Sequence, residues 1–390
     1  MNLSLDISSL KKFLERKKNF SIGVDIGSSS VKVVCLKKNK EGIILDNYSL
    51  TKTNTSLINS GFGGNLIDEN AGEIIEKIFD EMGLEKKVIN IAMPSYASLI
   101  TVVNLGRVDE KDVDEIIRTE APKFIPIPLD DVIYDWQIIE GVVGEKGLVS
   151  QETSKKEISN NNDLSEEKDS KNNTKNEEKK VALVAIMKSI SSRYEKVLGE
   201  KDFKINSMEV DAFSIARALT GGGTKENNAI LDIGEKVCNI VISAGGNLLL
   251  SKSVSIGGNK LTKTLMEAFS IDRERAEKIK MSQNIDEITR QTGKDLFSPT
   301  LKAIMDELKN SLALFTKNYQ GAQISKIILS GGTSGLKGLD KYIEKETSLP
   351  VVLANPWSGI IFPEKLKSRL DEIGPIFGTA VGLALLDLME

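Results

Sequence analysis

No histidine occurs among the 390 residues, which removes serine–histidine–aspartate catalysis, histidine-ligated zinc and any imidazole general base. Chemistry, if there is any, must rest on carboxylates, hydroxyls, lysine and bound metal. Cysteine is nearly absent as well. Cys35 and Cys238 fall inside apolar, strand-like runs and are too few for a disulfide framework, so they read as small core residues of a protein in a reducing compartment. No apolar run approaches the roughly 18 residues that a membrane span requires, and the N-terminus lacks the apolar core of a signal peptide, so a cytoplasmic protein is expected. The net charge of -4 gives the chain no general pull toward nucleic acid.

What is present is ordinary in bulk, with 40% hydrophobic and 28% charged residues, and informative in two places. The run Ile22-Gly-Val-Asp-Ile-Gly-Ser-Ser-Ser-Val-Lys-Val-Val34 reads as a buried strand, a glycine turn loaded with hydroxyls and a second strand. It returns in weaker form at Ala229-Ile-Leu-Asp-Ile-Gly-Glu-Lys-Val-Cys-Asn-Ile-Val-Ile242. Two such hairpins, one in each half, predict two similar lobes that share a phosphate. A chain this long also exceeds the roughly 250 to 300 residues that one core organises. Gly27 and Gly234 are expected to take backbone angles closed to other residues and to let main-chain N–H groups approach phosphate oxygens. Asp25 and Asp232, each ending an apolar strand, are expected to hold a hydrated Mg2+.

Along the chain, the basic segment 8–18 places Leu10, Phe13 and Leu14 on one helical face, which suits a membrane-surface contact or a frayed terminus. Strand signals at 21–25, 31–36 and 43–49 form a meander, followed by a helix over 70–82 and strands at 88–92 and 99–105. A second α/β unit follows, with a helix over 109–124 that Asp109 would cap, strands at 132–143 and 181–187, a helix over 189–198 and a last strand at 204–210. Segment 145–180 holds mostly Ser, Asn, Glu and Lys, so it is expected to be a disordered loop. The second half continues with a meander to 256, Gly257-Gly258, helices over 260–269, 273–281 and 301–319, a strand at 326–330 and an apolar closing helix over 374–388.

Five motifs in this order resemble the actin-like ATPase superfamily over nearly the whole length. The first phosphate loop corresponds to Asp25-Ile-Gly-Ser-Ser-Ser-Val-Lys32, so the resemblance implies that Gly27, Ser28, Ser29, Ser30 and Lys32 meet the β and γ phosphates. The second corresponds to Asp232-Ile-Gly-Glu235, implicating Gly234, Glu235 and Lys236. The adenosine motif corresponds to Ser330-Gly-Gly-Thr-Ser-Gly335, with Gly331, Gly332, Thr333 and Ser334, while Glu277 and Lys280 would flank ribose and adenine. Phe377-Gly-Thr-Ala-Val-Gly-Leu matches a small-residue helix that packs closely between lobes. The expected cofactors are ATP or ADP with Mg2+. The fold class implied is α/β, an actin-like (ribonuclease H-like) two-lobe ATPase with a small inserted subdomain. Its expected bounds are 1–19 for an extension, 20–104 with 211–224 and 374–390 for the first lobe, 105–210 for the insert and 225–373 for the second lobe.

Within that superfamily, Ile117-Arg-Thr-Glu-Ala-Pro-Lys-Phe-Ile-Pro-Ile-Pro128 and Asp131-Val-Ile-Tyr-Asp-Trp-Gln137 resemble the PilM family of type IV pilus assembly proteins, part of the branch that includes FtsA. The resemblance implies a cytoplasmic scaffold for an inner-membrane pilus platform, peripheral to the membrane through its partner. That partner would be the N-terminal cytoplasmic peptide of PilN, held in a groove between the first lobe and the insert, lined by 99–105 and 109–124. Contacts with other platform components and self-association are also expected, and no nucleic acid. Glu209 and Asp211 are candidates for positioning the attacking water, although Asp211 would equally cap the helix that follows. After the second Asp-Ile-Gly, Glu235-Lys-Val-Cys238 replaces the usual hydroxyls, so at most slow hydrolysis is expected. An FtsA-like division filament protein would carry a membrane-targeting helix beyond the point where this chain stops. A sugar or acetate kinase would need an acidic base after Pro94-Ser95, where none stands.

Overall fold

The computed structural model describes residues 19–53, 57–58, 67–139, 179–221, 226–244, 246–319 and 321–389. Thus the basic segment 8–18 and all but the last two positions of the expected loop 145–180 lie outside the described residues.

In chain order, β1 (Phe20–Ile26), β2 (Ser30–Lys38) and β3 (Ile43–Lys52) form the expected meander, then α1 (Ala71–Met82) and β4 (Val88–Met93) follow. The next group is β5 (Ser98–Gly106), α2 (Val113–Phe124), β6 (Val132–Ile139), β7 (Lys179–Met187), α3 (Lys188–Gly199), β8 (Lys204–Val210) and α4 (Asp211–Thr220). After these come β9 (Asn227–Ile233), β10 (Cys238–Ala244), β11 (Asn247–Val254), α5 (Gly258–Phe269), α6 (Arg273–Ser282), α7 (Ile285–Thr292) and α8 (Ser298–Asn318). The chain closes with β12 (Lys326–Ser330), α9 (Leu339–Thr347), β13 (Val351–Leu353), β14 (Ile360–Ile361), α10 (Lys367–Ile373) and α11 (Gly378–Leu386).

The chain divides into two compact units. The first comprises Met1–Pro94, Ser191–Leu219 and Ala354–Glu390, and the second Ser95–Ile190 and Thr220–Leu353.

The first unit is built on a six-stranded sheet in the order β14-β3-β2-β1-β4-β8. β1 runs antiparallel to β2 with Asp25 opposite Lys32, and parallel to β4, which is itself parallel to β8. This corrects the reading of 204–210 as the last strand of the insert. Parallel pairing joins segments distant in sequence and leaves no local pattern to read. α11 lies directly on β1: a Cβ on Gly23 would stand 2.2 Å from the Ala380 carbonyl oxygen and 2.6 Å from Ala384 N. On its other side, a Cβ on Gly382 would stand 1.8 Å from the Ser214 carbonyl oxygen of α4. The small residues of α11 are therefore there to let backbone meet backbone. Past its end, Asp387 accepts hydrogen bonds from Ser21 Oγ, Asn90 Nδ2 and Asn206 Nδ2, which joins the helix to β1, β4 and β8.

The second unit holds two sheets. The larger has the order β11-β10-β9-β12-β13, with β9 and β12 parallel and Ser330 level with Asp232. Its core includes Leu231, Ile240, Leu265, Leu308 and Phe315, all at or below 1% exposure, which explains the apolar spacing along α8. The smaller sheet has the order β5-β7-β6 and packs Val103, Val132, Val181 and Leu183 against Val113, Ile117 and Ala121 of α2. β5, read from sequence with the first lobe, belongs to this small sheet. The helix expected from 109 opens instead as a 3-10 turn, Glu110–Asp112, and Asp109 makes no side-chain cap. Cys35 and Cys238 are free and buried, and burial pushes the Cys35 thiol up to about 12. No helix among the described residues is long and apolar enough to cross a membrane.

The backbone approach at α11 has a direct consequence. Gly382→Ala forces α4 and α11 apart and is expected to cost at least about 2 kcal/mol, in the range of core overpacking. Gly199→Ala, where an added Cβ meets nothing within 4 Å, serves as the control and stays within about 0.5 kcal/mol of wild type. Urea denaturation of both variants checks this; equal stabilities would contradict the close packing.

Candidate functional site

In the first unit the hydroxyl-rich turn closes with Gly27 N donating to the Ser30 carbonyl at 2.9 Å, while Thr53 N donates to the Ser29 carbonyl at 2.9 Å and ties the turn to the end of β3. Ser28, Ser29 and Ser30 are half-buried around it. Lys32 Nζ donates to Asp25 Oδ2 at 2.9 Å, both side chains being less than one-fifth exposed. The pair is opposite in the β1–β2 register, so the strand pleat itself delivers it. The lysine is therefore already compensated, and the aspartate is committed to it.

Gly27 and Gly234 depart from expectation, since neither has a positive φ. Glycine instead spares a tight contact at each turn. A Cβ on Gly27 would stand 3.1 Å from the Ser30 carbonyl oxygen and 3.2 Å from Lys32 Nζ; one on Gly234 would stand 2.9 Å from the Val237 carbonyl oxygen.

Glu209, next to last in β8, is level with Ala92 of β4. The Glu209 carboxylate is occupied on both oxygens. Arg217 Nη1 donates to Oε2 at 2.8 Å, Arg217 Nη2 pairs with Oε1, and Ser214 Oγ donates to Oε2 at 2.5 Å. Arg217 also donates to the Gly382 carbonyl at 2.9 Å. This carboxylate is a clamp between β8, α4 and α11. Asp211 is the first residue of α4.

The second unit assembles the remaining motif residues. Because β9 and β12 are parallel, the turn after Asp232 and the loop after Ser330 emerge side by side at the carboxyl ends of their strands, where open α/β sheets bind ligands. Gly234 N closes its turn on the Val237 carbonyl at 3.0 Å, and the turn's own carbonyls are taken by the start of α5. Gly258 N donates to the Gly234 carbonyl at 2.9 Å and Asn259 N to the Glu235 carbonyl at 2.8 Å. A Cβ on Gly257 would lie 2.5 Å from the Glu235 carbonyl oxygen, and one on Gly258 2.3 Å from Thr333 Oγ1. Gly331, at φ 87°, presses on β9, where a Cβ would stand 2.5 Å from the Ile233 carbonyl oxygen. Gly332 faces open space. Of the paired glycines, the first shapes the fold and the second leaves room for a ligand. Ser334 Oγ returns to the Gly331 carbonyl at 2.6 Å.

Lys280 is 5% exposed. Its Nζ donates to Thr262 Oγ1 at 2.8 Å and meets Glu277 Oε2 at 2.8 Å. Thr262 Oγ1 in turn donates to Glu277 Oε1 at 2.5 Å. Burial pushes the Glu277 carboxyl up, but the hydrogen bonds from Lys280 and Thr262 and the charges of Lys280 and Arg273 outweigh it and hold the group below its ordinary value. Glu235 pairs with Arg273 Nη2 at 2.6 Å. Asp232 and Lys236 are half-buried and engaged with neighbouring groups.

Sequence reasoning missed Arg273, Thr262 and Gly257. Arg273 was findable, because it stands four and seven residues before Glu277 and Lys280 and so shares their helix face. Thr262 was not, because it comes from another helix.

The glycine-lined backbone in the second unit fits a nucleotide's sugar and base, which need close approach more than charge. Among the described residues no group of three or more candidate ligands gathers around a point. With Asp25 committed to Lys32, the residues present fit Mg2+ only through its own water shell, as that ion often prefers.

A family model described as type IV pilus assembly protein PilM matches residues 23–153 and 163–387. Among solved structures, a chain of a PilM-PilN type IV pilus biogenesis complex is similar at a TM-score of 0.72 and 21% identity, covering 95% of this chain and 99% of that one. The ethanolamine utilization protein EutJ from Carboxydothermus hydrogenoformans is similar at a TM-score of 0.52 and 16% identity, over 94% of this chain and 90% of its own. The cell division protein FtsA of Staphylococcus epidermidis is 21% identical over 380 residues, 89% of this chain and 77% of FtsA. These likenesses establish the actin-like α/β fold with its small inserted subdomain.

The depressed Glu277 carboxyl carries a pH signature. A carboxyl with a lowered folded pKa contributes stability that is fully present above its unfolded value, about 4.3, and is lost as pH falls through the folded value. Glu277→Gln is therefore expected to melt below wild type at pH 7 and pH 5, with the gap narrowing at pH 3. Thermal melts at the three pH values decide this; a gap of constant size would remove the ionised pair from the account.

Proposed function

Because the chain belongs to the type IV pilus assembly protein PilM family, we propose that it is a nucleotide-binding cytoplasmic scaffold of a pilus inner-membrane platform. Its partner is the N-terminal cytoplasmic peptide of PilN, through which it is held at the inner face of the membrane. The solved relative is a PilM-PilN complex, and here the same partnership is part of the proposal.

The observation that carries the nucleotide part is the cradle built from Gly234, Gly258, Gly332, Thr333 and the Glu277–Lys280 pair. ATP or ADP would take its base and sugar there and its phosphates on the turns after Asp25 and Asp232, with Mg2+ held through water. At these turns Asp25 is paired with Lys32 and Glu235 with Arg273. Phosphoryl transfer depends on charged groups aimed at the developing charge and on a group that orients water. Glu209, clamped by Arg217 and Ser214, is poorly free to do so, which leaves Asp211 as the candidate. We therefore assign the nucleotide the role of a structural ligand that sets the angle between the two lobes, with slow or no hydrolysis, since a ligand shifts a conformational equilibrium by its differential affinity for the states.

For the peptide, β5 pairs among the described residues with β7 alone, and its residues Leu99 to Val102 are half-buried. A one-sided strand gives an extended peptide main-chain partners, while pockets beside it select side chains. α2, which packs on the same small sheet, would supply those pockets. This keeps the expected lining, 99–105 and 109–124, and rests it on the insert's own edge.

Two measurements test the proposal. A synthetic PilN N-terminal peptide should bind the full chain, with an affinity that changes when MgATP is added; no binding in either state removes the pilus partnership. MgATP should raise the melting temperature of wild type but not of Asp25→Ala, because a ligand bound only to the folded state stabilises it by mass action. Equal stabilisation of both proteins would displace Asp25 and Lys32 from the phosphate site.

A further inference from the structure

The end of β3 and one stripe of α1 form a pocket of about 240 Å³ that none of the nucleotide motifs reaches. Thr51, Lys52 and Thr53 line it from the strand, and Ile74, Lys77, Ile78 and Glu81 from the helix. Thr53 is fixed by its backbone, since its N–H donates to the Ser29 carbonyl at 2.9 Å. Its hydroxyl is buried with no hydrogen-bond partner among the described residues, a desolvation cost that nothing in the fold offsets. Lys77 and Glu81 stand one turn apart, the spacing at which opposite charges on a helix pair. Lys367 and Asp371 do so in the same order at 2.9 Å. Lys77 and Glu81 do not: both are exposed, and neither has an ion pair or side-chain hydrogen bond among the described residues. The neighbouring acids of α1 are engaged elsewhere, Glu73 and Glu76 with Lys201 and Glu76 also with Lys87. Lys52 is level with Ser30, in the row next to Lys32 and Leu50. Its side chain therefore stands on the Asp25–Lys32 face of the sheet, opposite to that of Thr51. The side chains that face the pocket thus bring one cation, one anion, hydroxyls and the apolar surface of two isoleucines.

We propose that this pocket binds a free aliphatic amino acid. The ligand's carboxylate meets the Lys77 ammonium and accepts a hydrogen bond from the Thr53 hydroxyl, its ammonium meets Glu81, and its side chain lies on Ile74 and Ile78. A singly charged ligand engages one of the two charged side chains and leaves the other to water, whereas a zwitterion matches both, and opposite charges attract most at contact. The volume lies below the roughly 300 Å³ at which pockets for drug-sized ligands begin, which restricts the occupant to a small molecule. The site is on the other face of the sheet from Asp25 and Lys32, and it stands whether or not a nucleotide is bound.

Titration calorimetry of the full chain with leucine tests this, beside 4-methylpentanoate, which lacks the ammonium, and 3-methylbutylamine, which lacks the carboxylate. Leucine is expected to bind, and each analogue about tenfold more weakly. Lys77→Gln and Glu81→Gln should each weaken leucine binding about tenfold and leave the melting temperature of the ligand-free protein unchanged, because neither side chain has a partner to lose. Thr53→Val keeps the shape and the main-chain N–H but removes the hydroxyl. It should weaken leucine binding by a similar factor, while the ligand-free protein melts no lower than wild type, since a buried hydroxyl without a partner is no loss. No binding of leucine to wild type at about 10 mM, analogues that bind as tightly as leucine, or wild-type affinity in all three variants overturns the proposal. A Thr53→Val protein that melts well below wild type gives the hydroxyl a structural role and overturns it as well.

Discussion

Backbone set directly against backbone is the constraint on which each unit depends. In the first, Gly23 and Gly382 let α11 lie on β1 and α4 with no side chain between them. Only at that distance can Arg217 reach the Gly382 carbonyl while also holding both oxygens of Glu209. The β8–α4 junction is therefore positioned by a helix far away in sequence, and the residues at that junction inherit its rigidity. In the second unit, Gly257 and Gly258 press the start of α5 onto the turn after Asp232, and Gly331 presses the loop after β12 onto β9. Close-packed interiors transmit small volume changes because they have no slack to absorb them. At these points the margin is a single methyl group.

Charge is handled consistently around the motif residues. Asp25 takes Lys32, Glu209 takes Arg217, Glu235 takes Arg273 and Glu277 takes Lys280. Pairs of this kind are weak sources of stability when exposed, and when buried their attraction is set against a large desolvation cost. Their common effect is to leave the turns and loops with little free charge of either sign. A binding surface of that sort works through shape and main-chain groups. It stabilises developing charge poorly, which is the physical basis for reading the proposed nucleotide as a structural component.

Much of this was legible from sequence because the signals were local. The apolar runs on either side of the hydroxyl-rich turn in 22–34 gave both strands and the turn of the first hairpin, and the apolar spacing of Ile304, Leu308 and Phe315 gave the long helix α8. Element identities failed where pairing is distant. Strand 204–210 was read into the insert but lies beside β4, and β14 pairs with β3 through two residues too short to carry any pattern. The glycines of the two turns were legible as necessary, but for a different reason than expected: their angles are ordinary and the space beside them is not. That distinction depends on where Ser30, Lys32 and Val237 come to rest, which no local pattern records.

The Lys280–Glu277 pair, with its lysine buried and its carboxylate half-buried, makes the clearest case for position over stability. An apolar pair of similar volume would avoid the desolvation cost, yet it could not reach three elements at once. Lys280 and Glu277 together fasten α6 to Thr262 on α5, and Lys280 approaches the backbone of Gly258, which itself abuts Thr333. At the other end of the same helix face, Arg273 fastens Glu235 and Asn259. Seven residues at 1.5 Å each put these fastenings roughly 10 Å apart along about two turns of helix. α6 therefore acts as a strut beside α5, held at Thr262 and Gly258 by one end and at Asn259 and Glu235 by the other. The polar pairs at its two ends are what make α6 a strut: Arg273 grips two side chains and Lys280 a side chain and the Gly258 carbonyl, each in a fixed direction, which apolar contacts, being non-directional, cannot do.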